Sequence, residues 1–440
     1  MAQLTNNFSD WLNQRVDTES SFAFSEAVRS PSLSKLAGGI FPTRKDEEWR
    51  YTPLGPVLDS SPGKDSASEL DIDFISNLKQ AVPTGHTIIF INGDYSEKYS
   101  DDPLSLDDTG LSITHLTQLK GPALKMAEDI IVHSNLTDDN IFQHISLGLS
   151  QAGLFIHVEK NAASKTPIHI IHISTAHSAT SFTNPVNVVR LENNSHLKIV
   201  EQYASPGDSA VITVPANYIQ LEDGAGLEYY RIGIENAETQ HVCNTSVKVG
   251  ASASFTSHQY LLGSNLTRSN LEVSFSGPGA EAVLRGVYLG DDNQHLDVRT
   301  YLDHAHPHCS SDQHFRGILN GHSRGVFNGL VLVREHAQKT DAQQSNKNLL
   351  LSRDARVDAK PQLEIFADDV KCAHGATVGE LDSDALFYLQ SRGIDKKDAR
   401  LMLTRAFAAE VTQEIGIESL QTYVKGKIAT SLDEIVSPRV

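Results

Sequence analysis

Three textures of apolar and polar spacing follow one another along the chain. Up to about residue 150 the apolar positions recur mainly at helical intervals. FSDWLNQRV sets Trp11, Leu12 and Val16 on one face, with Ser9 or Asp10 as N-cap. EDIIVHSNLTDDNIFQHISLGLSQAG places Ile141, Ile145, Leu147 and Leu149 near one helical face, closed by Gly153. Between them GPVLDSSPGKDSASELD (residues 55–71), rich in Ser, Pro, Gly and Asp, reads as a loop or linker.

From about 151 to 380 the period falls to two. LFIHVEK, PIHIIHIS, VNVVRLE, HLKIVEQY and YIQLEDGAGLEYYRIGI are β-branched or aromatic runs separated by turn residues. The turns recur. NNSHLKI, DGAGLEY, VGASASF and GPGAEAV each read as a corner, a small residue and a resumed strand. Asn194, Gly224, Gly250 and Gly279 then fall 30, 26 and 29 residues apart. LRGVYL, FRGILN and FNGLVL form a second echo. A loose repeat of strand and turn predicts stacked coils, since one coil cannot bury its inward face alone. Gly or Asn at the corners accepts left-handed dihedrals. A mainly β parallel β-helix fits this pattern; a β-sandwich is the alternative. The open ends of such a stack must be capped or paired with another chain.

From 381 to 440 the spacing is helical again. LDSDALFYLQSRG has Asp382 or Ser383 as cap, Ala385, Leu386 and Leu389 as apolar face and Gly393 as stop. Leu403, Phe407 and Val411 mark a second helix, and Leu420, Val424, Ile428 and Leu432 a third. The spare apolar surface of this hairpin would cap the stack or dock a partner.

Charge narrows the partners. Lys and Arg number 37 and Asp and Glu 55, a formal balance of −18. Nucleic acid and anionic membranes are thereby disfavoured and basic protein partners favoured. No basic-then-apolar leader opens the sequence and no run of 18 apolar residues occurs, so a cytoplasmic protein is expected. Three scattered cysteines, with no CxxC, suit a reducing compartment.

Familiar catalytic motifs are missing: there is no GxxxxGK[ST], no GxGxxG between strand and helix, no GxSxG and no HExxH. The densest set of candidate ligands is YLDHAHPHCSSDQHF. In an extended segment His304, His306 and His308 would share a face, but Pro307 demotes the run to an edge or bend. ADDVKCAHGATVG holds Cys372 and His374 at i, i+2, on one face if the segment is a strand. Two ligands complete neither a tetrahedral zinc site nor a cluster. On this chain alone a buried cysteine and a hydrogen-bonded histidine account for the pair. A metal role requires ligands from a second protein.

FPTRKDEEWRYTPL (41–54), FADDVKCAHGATVGELDSDALFYLQSRGI (366–394) and the helical ending resemble the SufB/SufD family of iron–sulfur cluster assembly proteins, over nearly the whole chain. The resemblance implies a right-handed parallel β-helix flanked by helical N- and C-terminal regions. It implies pairing with SufB through β-helix ends, with a homodimer plausible in its absence. The ATPase SufC would dock on C-terminal helices bearing Leu386, Leu389, Leu403, Phe407 and Val411, and a cysteine desulfurase would supply sulfur indirectly. Iron or an Fe–S cluster would be held transiently with SufB, reduced flavin would act at the level of the complex, and nothing would bind the isolated chain tightly. ATPase activity would belong to SufC, this chain being non-catalytic. The histidine of the K-C-x-H-G motif is carried over to His374, at the junction with SufB; Cys372 matches the same motif with a less defined role. No ligand role passes to His304, His306 or His308. The rivals are a purely structural partner of SufB, a SufB-type scaffold, and a β-helix carbohydrate-active enzyme.

Overall fold

In the computed structural model, residues 7–18, 24–37, 40–63, 70–102, 110–134, 140–176, 180–208 and 210–436 are described. The N-terminal third carries helices α1 (Asn7–Thr18), α2 (Glu26–Ala37), α3 (Gly55–Leu58), α4 (Ile72–Lys79), α5 (Gly121–Val132) and α6 (Ile141–Leu149). Strands β1 (His86–Ile91), β2 (Asp94–Tyr95) and β3 (Leu111–His115) lie among them. Then come β4 (Gly153–Val158), β5 (Ile168–Ile173), β6 (Ser181–Thr183), β7 (Val186–Leu191), β8 (His196–Ala204), β9 (Val211–Thr213), β10 (Ala216–Leu221), β11 (Gly226–Ile234) and β12 (Thr239–Val249). The coils continue with β13 (Ser254–Leu261), β14 (Leu266–Phe275), β15 (Glu281–Gly290), β16 (His295–His304), β17 (Ser310–Leu319), β18 (Arg324–Val333), β19 (Asp341–Leu350), β20 (Arg356–Ile365) and β21 (Lys371–Gly379). Helices α7 (Ser383–Ser391), α8 (Lys396–Thr412) and α9 (Glu418–Val436) complete the described chain.

Strand order establishes the architecture. One sheet runs β2-β1-β5-β8-β11-β13-β15-β17-β19-β21, and the other β20-β18-β16-β14-β12-β10-β7-β4-β3. Through the coils, strands pair in parallel with the strand three earlier from β7 to β11 and two earlier from β12 onward, where they alternate between the sheets, so the chain winds as a parallel β-helix. Side-chain alternation then aims every second residue into a shared interior. Val189, Ile219, Val247, Val273, Leu302, Val331 and Leu363 form one register-matched ladder. Leu197, Leu227, Phe255 and Ala282 form another on the facing sheet.

The corners follow the expected chemistry with one shift. Asn194, Gly224, Ser252, Gly279, His308 and Lys339 all have positive φ, between 54 and 70°, in the turns leading to β8, β11, β13, β15, β17 and β19. The corner expected at Gly250 belongs to Ser252. Gly250 is small for another reason: a Cβ there would meet the backbone of Glu222 and Asp223 in the preceding coil at 2.8–2.9 Å. Helix α1 begins at Asn7, so Ser9 and Asp10 lie inside it rather than capping it. In the segment read as a loop, 55–58 form α3, and 64–69 lie outside the described residues.

Helices clothe both outer faces. Phe8, Leu12, Trp49, Phe142 and Ile145 pack with Ile212, Val242 and Leu266 on one side. On the other, Leu401, Val411, Leu420, Val424 and Ile428 pack on Val200, Tyr230, Tyr260 and Ile318. The C-terminal hairpin therefore covers the flank of the stack and does not cap its end. Its contact comprises Leu401, Thr404, Ala408 and Val411 on α8 and Ile415 just beyond it, all buried. Leu403 and Phe407 are only half-buried, and the Arg316 guanidinium lies 5.8 Å from the centre of the Phe407 ring. Small Thr404 and Ala408 supply the buried strip, which a search for large apolar residues overlooks.

EEWRYT of the N-terminal motif is a strap across the coils. Trp49 stacks under the Arg268 guanidinium at 3.7 Å, and Arg268 pairs with Asp297 at 2.7 Å. Thr52 also donates to Asp297 at 2.6 Å, and Glu47 reaches Lys360 on β20 at 2.6 Å.

Candidate functional site

The two ends of the β-helix differ. At the N-terminal end, β2 pairs antiparallel with β1 and β3 with β4, closing both sheets with short strands. At the other end β20 and β21 are the last strands, and no described strand pairs with their outer edges. Pro361 in β20 lacks an N–H and belongs on an edge. Ile365 at the end of β20, Phe366 just after it and Val378 on β21 expose large apolar side chains there.

Cys372 and His374 stand at this open end. Both lie on β21, two residues apart, so both face the interior of the coil. Cys372 is in register with Ala342, which matches Ser311 and then Ala282, at the end of the ladder above. It packs half-buried against the main core, as do Leu363 and Val370. Burial pushes its thiol up, and the nearby Asp341 adds to this against a backbone hydrogen bond from Ala342. His374 is in register with Gln344 and is exposed at the mouth of the coil. An imidazole in the open and a thiol at its rim are free to take further ligands from outside the chain.

The other candidates have different surroundings. His304 ends β16 fully buried, with its ring 4.5 Å from Phe275 and its Nε2 2.9 Å from Ser311 Oγ. Burial pushes it down to about 4. His306 and His308 lie beyond the strand, and His308 is a left-handed corner with φ 62°. The three do not share a face: the strand that would have aligned them stops at His304. Among the described residues no group of three or more His, Cys, Asp or Glu is disposed to hold a metal ion. On α7, Leu386 and Leu389 are half-buried, whereas Phe387 and Tyr388 are 73% and 57% exposed; Met402 on α8 is 49% exposed. No described helix is long and apolar enough to cross a membrane.

Sequence reasoning missed a buried charge cluster in the middle coils. Glu201 accepts from Tyr203 at 2.7 Å, from Asn187 at 2.8 Å and from Tyr229. Burial works to raise its carboxyl, but His172 and the two phenols outweigh this and hold it at about 2. Arg231 donates to His241 Nε2, and His241 Nδ1–H donates to Glu235 at 2.6 Å. Cys243 beside them is pushed up to about 11 by burial. These groups are enclosed and largely bonded to one another, although Arg231 Nε and His172 Nε2 make no hydrogen bond. Each reads locally as one polar residue in an apolar run, and only the coil brings them together.

Family models match most of the chain. The family model described as SUF system FeS cluster assembly, SufBD core domain, matches residues 172–407, and that of the SufBD protein N-terminal region matches 2–170. The iron–sulfur cluster assembly protein SufD of Escherichia coli (strain K12) is 31% identical over 419 residues, covering 92% of this chain and 93% of that protein. An iron–sulfur cluster assembly SufBD family protein of Synechocystis is 28% identical over 400 residues, covering 88% and 86%. Chloroplastic protein ABCI7 of Arabidopsis thaliana is 28% identical over 398 residues, covering 88% and 82%. The chain belongs to the SufB/SufD family of iron–sulfur cluster assembly proteins.

Proposed function

We propose that this chain takes the SufD position in a SufB–SufC–SufD complex, where it supports iron acquisition and cluster assembly at the SufB–SufD junction. The observation that carries this is the open end of the β-helix. Two unpaired strand edges, exposed apolar residues and an inward-facing Cys372–His374 pair coincide there. An unpaired edge recruits a strand from another chain through main-chain hydrogen bonds. SufB paired at this edge would enclose His374 and add the ligands the pair lacks. In isolation the same edge is available to a second copy of this chain.

Within such a junction His374 supplies a neutral imidazole to ferrous iron, and Cys372 a thiol that loses its proton when metal binds. Its raised position keeps the thiol protonated, and so less open to oxidation, until then. Exposed Phe387, Tyr388 and Met402 support SufC docking on α7 and α8. Dimerisation of SufC on binding ATP would draw the helical hairpins of SufB and this chain together. Because α8 and α9 are packed along the flank of the stack, that pull is transmitted to the coils and strains the junction.

The test is co-expression with SufB and SufC of wild type and His374→Ala. The expected result is an intact complex with iron and sulfide content reduced several-fold. An intact complex with unchanged iron and sulfide would overturn the ligand role of His374.

A further inference from the structure

The interior of the β-helix changes character toward the open end. In β19 the inward residues are Ala342, Gln344, Asn346 and Asn348, all buried, so that carboxamides replace the apolar ladder. Two of the three amides are bonded. Asn348 donates to Asn346 Oδ1 at 2.6 Å and to the Thr377 carbonyl on β21 at 3.3 Å. Asn346 donates to the Tyr288 hydroxyl at 3.0 Å, and that hydroxyl donates to Asn348.

Gln344 is the exception. It is 3% exposed, and neither its amide nitrogen nor its amide oxygen has a hydrogen-bond partner. The coil below shows what such a side chain can find: Gln313, in register with Gln344, accepts from Thr300 Oγ at 2.7 Å. The residue in register with Thr300 one coil nearer the mouth is Gly329. Gly329 brings no hydroxyl, and a Cβ built there would collide with the Gln344 amide. Glycine thus makes room for the carboxamide while withholding a partner. An unpaired buried carboxamide is destabilising, a penalty that leucine or methionine at this position would avoid. Directly above Gln344 in the register is His374, with Cys372 on the same face.

We propose that Gln344 is a positioning residue for iron held at His374. With iron at the junction its Oε1 would accept the ring N–H of His374, its register neighbour, and turn the other ring nitrogen toward the ion. Its amide N–H is left to donate to a sulfur ligand of that ion. Metal-binding imidazoles are oriented in this way by an acceptor behind them, and loss of that acceptor weakens binding about 10–100-fold. The inference rests on the reading of His374 as an iron ligand.

The test is anaerobic titration of Co(II), as a spectroscopic stand-in for Fe(II), into the SufB–SufC complex of wild type, His374→Ala, Gln344→Leu and Gln344→Glu. Gln344→Leu is expected to weaken Co(II) binding about 10-fold and to alter the d–d absorption, while its melting temperature holds or rises. Gln344→Glu keeps an acceptor and is expected to retain most of the affinity. If Gln344→Leu binds Co(II) like wild type while His374→Ala loses it, Gln344 is packing and the inference falls. If His374→Ala also binds like wild type, or no complex forms, the reading of the site falls and takes this inference with it. Should Gln344→Leu fail to fold, Gln344→Met bears the same comparison.

Discussion

Mild acid should destabilise this protein through its buried histidines. His169, His258, His295 and His304 are each pushed from 6.5 down to about 4, chiefly by burial. Their rings bond neutral partners: Gln202, Tyr260, Thr52 and Ser311 at 2.9–3.1 Å. A group whose folded value lies below its unfolded value contributes stability that is complete above the unfolded value and lost as pH falls beneath it. At pH 5.5 each unfolded ring carries about 0.9 proton and each folded ring almost none. That is about 1–2 kcal/mol per histidine and about 5–6 kcal/mol for the four. Glu272 opposes them. Burial pushes it up to about 7, so it takes up a proton in the folded state as pH falls and returns about 2 kcal/mol. Glu201, held at about 2, enters only below its unfolded value of 4.5. A net loss of about 4 kcal/mol between pH 7.5 and 5.5 is a large part of a typical 5–15 kcal/mol. Urea unfolding at pH 7.5, 6.5 and 5.5 reads it directly. His304→Gln, which can keep the bond to Ser311, should lose about 1–2 kcal/mol less over that range than wild type. Wild-type stability that is flat from pH 7.5 to 5.5, or a variant that tracks wild type, would refute the reasoning.

Two further expectations separate structure from docking. Arg268→Ala removes the partner of buried Asp297 and the cation over Trp49, and should cost about 3–5 kcal/mol in urea unfolding; a loss below about 1 kcal/mol would show the strap to be incidental. Phe387→Asp changes a mostly exposed side chain, so stability should hold within about 0.5 kcal/mol while co-purification with SufC is lost. Undiminished SufC recovery would overturn the proposed docking on α7 and α8.

The coil repeat was legible because its cause is local. A left-handed corner and a period-two strand leave marks in a few adjacent residues, and Asn194, Gly224 and Gly279 sit where their spacing put them. Where a corner could be served by serine, as at Ser252, the mark moved to the nearby glycine that backbone crowding required. The placement of the C-terminal hairpin was less legible, because an apolar helical stripe records that something is covered and not which surface covers it. Thr404 and Ala408 belong to the contact although neither stands out as apolar bulk. The candidate site shows the same divide. Cys372 and His374 are visible as a pair because they share one strand, whereas Gln344 is separated from His374 by a full turn of the coil and lies in a polar run, DAQQSNKNLL, without an apolar period. A polar residue in such a run reads as surface until the register turns it inward. Its isolation then becomes the informative property, because the fold has surrounded it with neighbours that neither bond it nor crowd it out.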